Sequence, residues 1–426
     1  MGDQGPLLLP YHTIFKKEWT YYREFAYLVA QYASEFQPAV IKIIIQEGIT
    51  MSSNIEVKKV TDKKMMMEFI KLPWTAHIYD DDPAWVPPVI MDRKKFFDPK
   101  HGYFFEHGEA EFFIAYKDGK PAGRITAHTY TRYEEKYDRD TGFFGFYECI
   151  DDLAVSKALF DTARERLRAK GKKKMNGPQS FTIYDEIGFD CINNGRMPVV
   201  AMFHYAHWYE KHALAFGLQK QTDWFCFMVK EEGLNWEPMF KIREELQKKS
   251  EFKFVIAKKR DIPKRAEEIK NIFNIAWEGN EGHLPFTDKQ FAHIFDDIKM
   301  LIIPKLAIFA EKDGKTVGFI LSVPDANPGL AKLNGRLYPW RIARLLWDVR
   351  RTRTLRTILL GVLPEYRGQN LDQILILMTI EIGTKKLRFT QSDCSLIVEN
   401  NYKMIGALKH VNADCYKGYR VFQMDI

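Results

Sequence analysis

Apolar and polar positions along the chain predict the same local structure twice. Residues 112 to 125, FFIAYKDGKPAGRI, read as strand, two-residue Asp-Gly turn, strand, a hairpin signature. Residues 307 to 320, AIFAEKDGKTVGFI, repeat it: Lys117, Asp118, Gly119, Lys120 and Gly123 are matched by Lys312, Asp313, Gly314, Lys315 and Gly318 at one offset, 195. The same offset lays 216 to 227, FGLQKQTDWFCF, onto 411 to 422, VNADCYKGYRVF. K-D-G-K is a favoured surface turn, so one match means little; agreement at both ends of a unit predicts an internal duplication. Each half also places a helix after an apolar central strand, at 161 to 170 after GFFGFYECIDD and at 371 to 384 after TILLGV. The order β-β-β-α-β-α-β predicts an α/β fold in which two lobes each carry helices on the faces of a mixed sheet. The expected divisions are an extension over 1–50, a lobe over 51–230, a charge-rich linker over 231–255 and a second lobe over 256–426.

Composition narrows the class. A chain of 426 residues, 46% hydrophobic and 28% charged, suits two packed domains plus an appendage and excludes a disordered majority. A net charge of +7 suits anionic small ligands or acidic lipid surfaces without singling out nucleic acid. Cys149, Cys191, Cys226, Cys394 and Cys415 are scattered, without C-x-x-C pairing or histidine at ligand spacing, which predicts reduced, buried thiols and no metal. No apolar run approaches the roughly 20 residues of a spanning helix, and the start lacks the order of a signal peptide. A cytoplasmic protein is expected, with contact to the inner face of the membrane left open.

Two readings stand for residues 1–50. Gln46-Glu47-Gly48 can be encoded by a purine-rich stretch resembling a bacterial ribosome-binding site just before Met51, which makes Met51 the expected start. Alternatively, Tyr21 to Ile45 forms an amphipathic arm that packs on a lobe or a membrane surface.

The most informative segment is 358 to 372, ILLGVLPEYRGQNLD, where an apolar strand runs through Pro364 and Arg367-Gly368-Gln369 into a helix. Unpaired backbone N–H groups at a helix start, with the positive end of its dipole, can hold a pyrophosphate, and glycine lets the ligand approach. The segment resembles the acyl-CoA loop of GNAT acetyltransferases. Arg367 fits the loop's first position, whereas Asn370 and Asp372 stand where the family has small residues. Asn tolerates the left-handed backbone that glycine supplies, but Asp372 brings a carboxylate near the phosphates. The resemblance implies that acetyl-CoA or a longer acyl-CoA binds at Val362, Arg367, Gly368, Gln369, Asn370, Leu371 and Asp372. SLIVEN at 395–400 and YKGYRVF at 416–422 resemble the family's fifth and last strands. The tyrosine that protonates the departing thiolate in many members is replaced by Leu408, leaving Tyr402, Tyr416 or water as substitutes.

The first lobe, with LPWTAHIYDDDPAWVPP and GFFGFYECIDD, resembles the N-terminal part of long bacterial GNAT-like proteins but has no glycine after Glu148 for a phosphate loop. Some members of this tandem group resemble enzymes that load fatty acyl chains onto long-chain amines, ceramide-type synthesis included.

Direct acyl transfer needs a base for the amine and polarisation of the thioester carbonyl. Glu148 and Glu399, each ending a strand beside an expected split in its sheet, are the candidate carboxylates; helix capping is the competing role. Asp151 and Asp152 suit an N-cap better than catalysis. In FHYAHWYEKH, His204, His207 and Trp208 are expected to share a helical face, with a structural or acceptor-lining role favoured over zinc, and Tyr205 or Tyr209 as an acid. From Lys332 to Arg356 seven arginines interleave with Trp340, Leu345, Leu346 and Trp347. The favoured reading is a helix with its Trp and Leu face on the sheet; an interfacial helix on an anionic bilayer is the alternative.

The sequence thus predicts an acyl-CoA-dependent N-acyltransferase working by direct transfer to an amine, with a lipid-like acceptor in view. Its rivals are a noncatalytic acyl-CoA or lipid-binding protein and a peripheral membrane scaffold.

Overall fold

The computed structural model describes residues 54–280 and 282–426; both readings of residues 1–50 lie outside them. The first half runs β1 (Ile55–Lys59), α1 (Lys63–Thr75), α2 (Ile90–Phe96), β2 (Gly108–Lys117), β3 (Lys120–Tyr130), α3 (Thr131–Lys136), β4 (Thr141–Cys149) and α4 (Leu153–Ala169). It continues with β5 (Lys174–Gly177), β6 (Gln179–Ser180), β7 (Glu186–Ile187), β8 (Phe189–Asn193), α5 (Tyr209–Phe216) and β9 (Gln219–Lys230). The second half runs α6 (Glu237–Lys249), β10 (Lys253–Ile256), α7 (Ala266–Ala276), α8 (Asp288–Ile298), β11 (Ala307–Lys312), β12 (Lys315–Pro324), α9 (Asn327–Leu333) and α10 (Pro339–Arg351). It closes with β13 (Thr354–Val362), α11 (Leu371–Glu381), β14 (Gln391–Val398), α12 (Tyr402–His410) and β15 (Asp414–Asp425).

The duplicated hairpins take the same shape. Asp118 and Gly119 have φ of 51° and 76°, Asp313 and Gly314 49° and 76°, so both turns use the double left-handed geometry that matches strand twist. Both ladders also slip at equivalent places, between Ala115 and Tyr116 and between Ala310 and Glu311.

The halves are joined through their last strands. The order β1-β2-β3-β4-β5-β15-β9-β14-β13-β12-β11-β10 makes one mixed sheet. β15 pairs with β5 of the first half, and β9 pairs with β14 of the second. Each closing strand therefore lies beside the other half's fifth strand, and the two pair with each other along most of their length. Tyr416, Lys417 and Tyr419 of β15 are wholly buried, so the sheet is continuous through its centre.

Two elements differ from their expected form. The charge-rich stretch 231–255 contains helix α6, whose Phe240 and Arg243 are buried, with Arg243 ion-paired to Glu381 of α11. Helix α4 begins at Leu153, where Asp152 caps it by accepting from the Ala154 and Val155 amides at 2.8 and 3.2 Å. Among the described residues no helix is long and apolar enough to cross a membrane.

Candidate active site

The site follows from where the sheet opens. β13 and β14 are parallel and pair only over Thr354–Arg356 with Gln391–Asp393. Beyond that point β13 continues against β12 to Val362, while β14 follows β9, so the two strands diverge. β4 and β5 part in the same way after Phe143 and Asn176, but the first half fills its own gap. The backbone at Gln179–Ser180 crosses so close to Gly145 that a Cβ there would sit 2.6 Å from the Gln179 carbonyl oxygen. The Ser180 hydroxyl accepts from the Phe146 amide at 2.9 Å. Phe181 then plugs the space, wholly buried and stacked on Phe104 with ring centres 4.0 Å apart.

The second gap stays open and leads into a cavity of about 1150 Å³. One end, between β13, β14, α11 and α12, is apolar, with Ile358, Leu360, Ile376, Ile380, Leu408 and Val411 on its walls. The other end lies against the first half and is polar, with Arg93, Arg124, Glu148, Asp185, Glu186 and Tyr205.

At the apolar end the loop after β13 makes a single tight turn at Pro364–Tyr366 and enters α11 through Gly368 at φ 78° and Asn370 at φ 62°. Asn370 thus takes the left-handed conformation usual for glycine. No side chain caps α11, which leaves its first N–H groups without an intrahelical acceptor. Leu371 packs inward with Phe252, Ala310 and Val317, while Arg367, Gly368, Gln369 and Asp372 are exposed and Val362 is half-buried. The Arg367 guanidinium donates to the Ala276 carbonyl, and Gln373, in the first turn of α11, reaches the cavity wall.

At the polar end Glu148 is buried and accepts from the Tyr79 hydroxyl at 2.8 Å and the Tyr209 hydroxyl at 2.7 Å, with Arg124 at 3.5 Å. Burial pushes its pKa up, and Arg124 and the two phenols pull against that shift. Tyr205 is buried beside it with a hydroxyl that has no hydrogen-bond partner. Asp185 accepts from the Thr182 amide and hydroxyl and from the Tyr103 hydroxyl; burial nonetheless pushes its pKa up to about 7.

The other carboxylate singled out in the sequence, Glu399, stands apart from the cavity wall. It follows β14 into a turn where it pairs with Lys220 at 2.6 Å and accepts from the Asp223 amide. Residues 201–208 are not helical, so His204, His207 and Trp208 share no helical face. Instead buried His204 bridges Asp82 at 2.6 Å and Lys417 at 2.9 Å, and Lys417 pairs with Asp190 at 2.6 Å. His207 is exposed, and Trp208 donates to the Cys149 carbonyl. Tyr416 is committed to Asp393, its hydroxyl donating at 2.8 Å, and Tyr402 is exposed. Among the described residues no group of three or more His, Cys, Asp or Glu is placed to hold a metal ion.

Arg93, Arg124, Asp185 and Glu186 were not singled out from the sequence. Their signal is weak: Arg93 is one of four consecutive charged residues, Asp185 and Glu186 are adjacent in a loop-like stretch, and Arg124 is a single charge among apolar strand positions, while the pairing of Arg93 with Glu186 spans 93 positions.

No protein-family model matches the chain. Protein YghO of Escherichia coli (strain K12) is 31% identical over 376 residues, spanning 87% of this chain and 95% of that protein. A bacterial ceramide synthase of Caulobacter vibrioides (strain NA1000 / CB15N) is 28% identical over 381 residues, spanning 87% and 98%. Among solved structures, a tandem GNAT protein from the clavulanic acid biosynthesis pathway is similar with TM-score 0.50 at 11% identity, over 87% of this chain and 98% of that one. A glucosamine N-acetyltransferase region of a fungal multi-domain GH3 beta-N-acetylglucosaminidase gives TM-score 0.52 at 11% identity, over 88% and 38%. These two likenesses show the fold, which is that of two GNAT-like lobes in tandem.

Proposed function

This chain belongs to the tandem GNAT-fold family that contains Protein YghO, and from that premise we propose that it is an acyl-CoA-dependent N-acyltransferase acting on a long-chain amine. The observation that carries the reading is the cavity. At about 1150 Å³ it exceeds the roughly 300–1,000 Å³ of sites for drug-sized ligands, giving room for an acyl chain and a long acceptor together. Its walls are apolar where β13 and β14 part and polar beside Glu148. A relative named ceramide synthase supports the acceptor class, since a ceramide is the fatty amide of a long-chain amine.

In this reading the CoA pyrophosphate meets the N-terminus of α11 at residues 367 to 372, and the thioester passes between β13 and β14. The amine nitrogen attacks the thioester carbon, the C–N bond forms and the C–S bond breaks. Glu148 takes the amine's proton through water, as its raised proton affinity suits. The thiolate takes that proton back from Glu148 through water, which closes the cycle; the Tyr205 hydroxyl, buried without a hydrogen-bond partner and with its pKa pushed well up by burial, stays protonated beside the site. Glu399, already ion-paired outside the cavity wall, has no part in the step.

One observation favours a noncatalytic binder: Leu408 lines the cavity where many family members carry the acidic tyrosine. The deciding experiment supplies palmitoyl-CoA with a long-chain amine and follows free thiol and amide product together. Stoichiometric appearance of both supports the enzyme. Binding of palmitoyl-CoA with neither product, across amines of graded chain length, would leave the binder.

A further inference from the structure

Helix α10 has no role in the acyl-transfer reading. It is 13 residues long and buries none of them fully. Leu345 and Val349 lean on the small apolar cluster of Val200, Leu301, Val323 and Ala326. The opposite face carries Trp340, Ala343, Arg344, Trp347, Arg350 and Arg351, spaced three and four residues apart along one exposed stripe. Trp340 is 68% exposed and Trp347 57%, so the tryptophans do not join the packed face, as the favoured reading of the sequence had them. Two indoles held in water beside arginines form an apolar and cationic surface together. Trp340 stacks flat on Tyr338, rings 4.9 Å apart, and the Arg351 guanidinium lies 5.9 Å from the Trp347 ring. The acidic member of the helix, Asp348, is already engaged by Lys332 at 2.9 Å and Arg344 at 3.5 Å, so the stripe presents net positive charge.

The helix is also rigidly tied to the cavity. It packs on α9 so tightly that a Cβ on Gly329 would meet Leu345 at 2.7 Å, and Asn327 and Leu330 of α9 line the cavity. The turn between the helices is pinned by the Trp74 indole donating to Asn334 at 2.6 Å and the Ile90 amide donating to the Gly335 carbonyl at 3.0 Å. Pro88 and Val89, next to that turn, are cavity wall as well.

We propose that the outward face of α10 docks on an anionic phospholipid surface, with Trp340 and Trp347 at headgroup depth and Arg344, Arg350 and Arg351 on the phosphates. Tryptophan with arginine on a surface helix is the composition that settles at a bilayer interface. Resting on the acyl-transfer reading, the docked orientation brings the α9 wall of the cavity to the lipid, where a long-chain amine resides.

The test sediments the full chain with vesicles of equal parts phosphatidylglycerol and phosphatidylethanolamine, and with phosphatidylcholine vesicles. Binding is expected to the anionic vesicles, weaker at high salt. It should fall about tenfold or more both in Trp340→Ser with Trp347→Ser and in Arg344→Glu with Arg350→Glu, taking about 1 kcal/mol for each basic residue near an anionic surface. An unchanged thermal midpoint in each variant shows that the fold is intact. Turnover of a detergent-dispersed amine should be unchanged in both variants while turnover of a vesicle-borne amine drops. No sedimentation with anionic vesicles, or equal sedimentation of wild type and both variants, overturns the proposal. So does preferential binding to DNA that the Arg substitutions abolish and the Trp substitutions do not touch. Vesicle binding without turnover of any amine would sink the acyltransferase and leave the docking face standing.

Discussion

Arg356 and Asp393 are the last aligned pair of the parallel β13–β14 ladder, and their side chains meet at 3.8 Å where the sheet divides. Both are buried, and Asp393 also accepts from the Ser395 and Tyr416 hydroxyls at 2.7 and 2.8 Å. The ion pair thus sits at the vertex of the cleft, with Arg356 on the cavity wall. Asp393→Ala leaves a buried guanidinium without its anion, which costs about 3–5 kcal/mol. A urea midpoint lowered accordingly is expected, with much of the loss recovered when Arg356→Met is combined with Asp393→Leu. A loss below about 1 kcal/mol would mean that the vertex is wetter than the packing implies.

Phe181 makes the converse prediction for the first half. Its ring is wholly buried among Phe96, Phe104, Phe105 and Phe146, so Phe181→Ala should cost about 3–5 kcal/mol through lost transfer and a residual void. Urea unfolding measures it. A cost near zero would show that the neighbouring rings collapse into the space.

Glu148 carries the pH prediction for the reaction. Burial holds its proton above the ordinary glutamate range, and the form that accepts a proton is the carboxylate. The limb of kcat/KM on the acid side should therefore fall through a pH above about 4.3. Glu148→Gln should lower kcat about 100- to 10,000-fold and erase that limb, leaving the KM for acyl-CoA in place. An undiminished kcat would move the base elsewhere.

Local patterns in the sequence proved legible where the structure is local. The two Asp-Gly turns and the left-handed Asn370 are set by residues within a few positions of one another. The exchange of closing strands was not legible, because the repeat offset places β9 and β15 correctly in order yet says nothing of their partners. Glu148 and Glu399 both end strands in the sequence. What separates them is tertiary: Tyr79 and Tyr209, 69 and 61 residues away, enclose the first, and Lys220 holds the second at the surface. On α10 the periodicity fits an amphipathic helix, but it cannot say whether tryptophan or leucine faces inward until the cluster around Val323 selects Leu345 and Val349.

Asp185 makes stability depend on pH with a definite sign. Its pKa is pushed up to about 7 in the folded chain, against about 3.9 when unfolded. The folded state therefore binds more protons than the unfolded state between those values. The contribution is fully present below about pH 4 and is lost as pH rises through 7. Relative to Asp185→Asn, the wild-type urea midpoint should fall from pH 5 to 7.5. Asp190 and Asp325, pushed up to about 7 and about 6, act in the same direction, and the buried His128 and His283, pushed down to about 3 and about 4, act in the opposite one; all four are common to both proteins, so the difference between the two slopes isolates Asp185. Identical slopes would mean that Asp185 ionises normally.

Arg367 tests where acyl-CoA is held. A ligand that binds the folded state raises the melting temperature by mass action, worth about 2.7 kcal/mol at a hundredfold excess over Kd. CoA, acetyl-CoA and palmitoyl-CoA share the pyrophosphate and differ in the chain that would lie along Ile358, Ile376 and Ile380. The shift should grow from CoA to palmitoyl-CoA, because each buried methylene adds about 0.8 kcal/mol. Arg367→Glu adds a carboxylate to the loop before α11, whose first turn already carries Asp372, and should shrink all three shifts together while keeping their order. If the variant shifts as the wild type does, the pyrophosphate lies elsewhere. If chain length makes no difference, the apolar end of the cavity holds something other than the acyl chain, and the acceptor would have to occupy it.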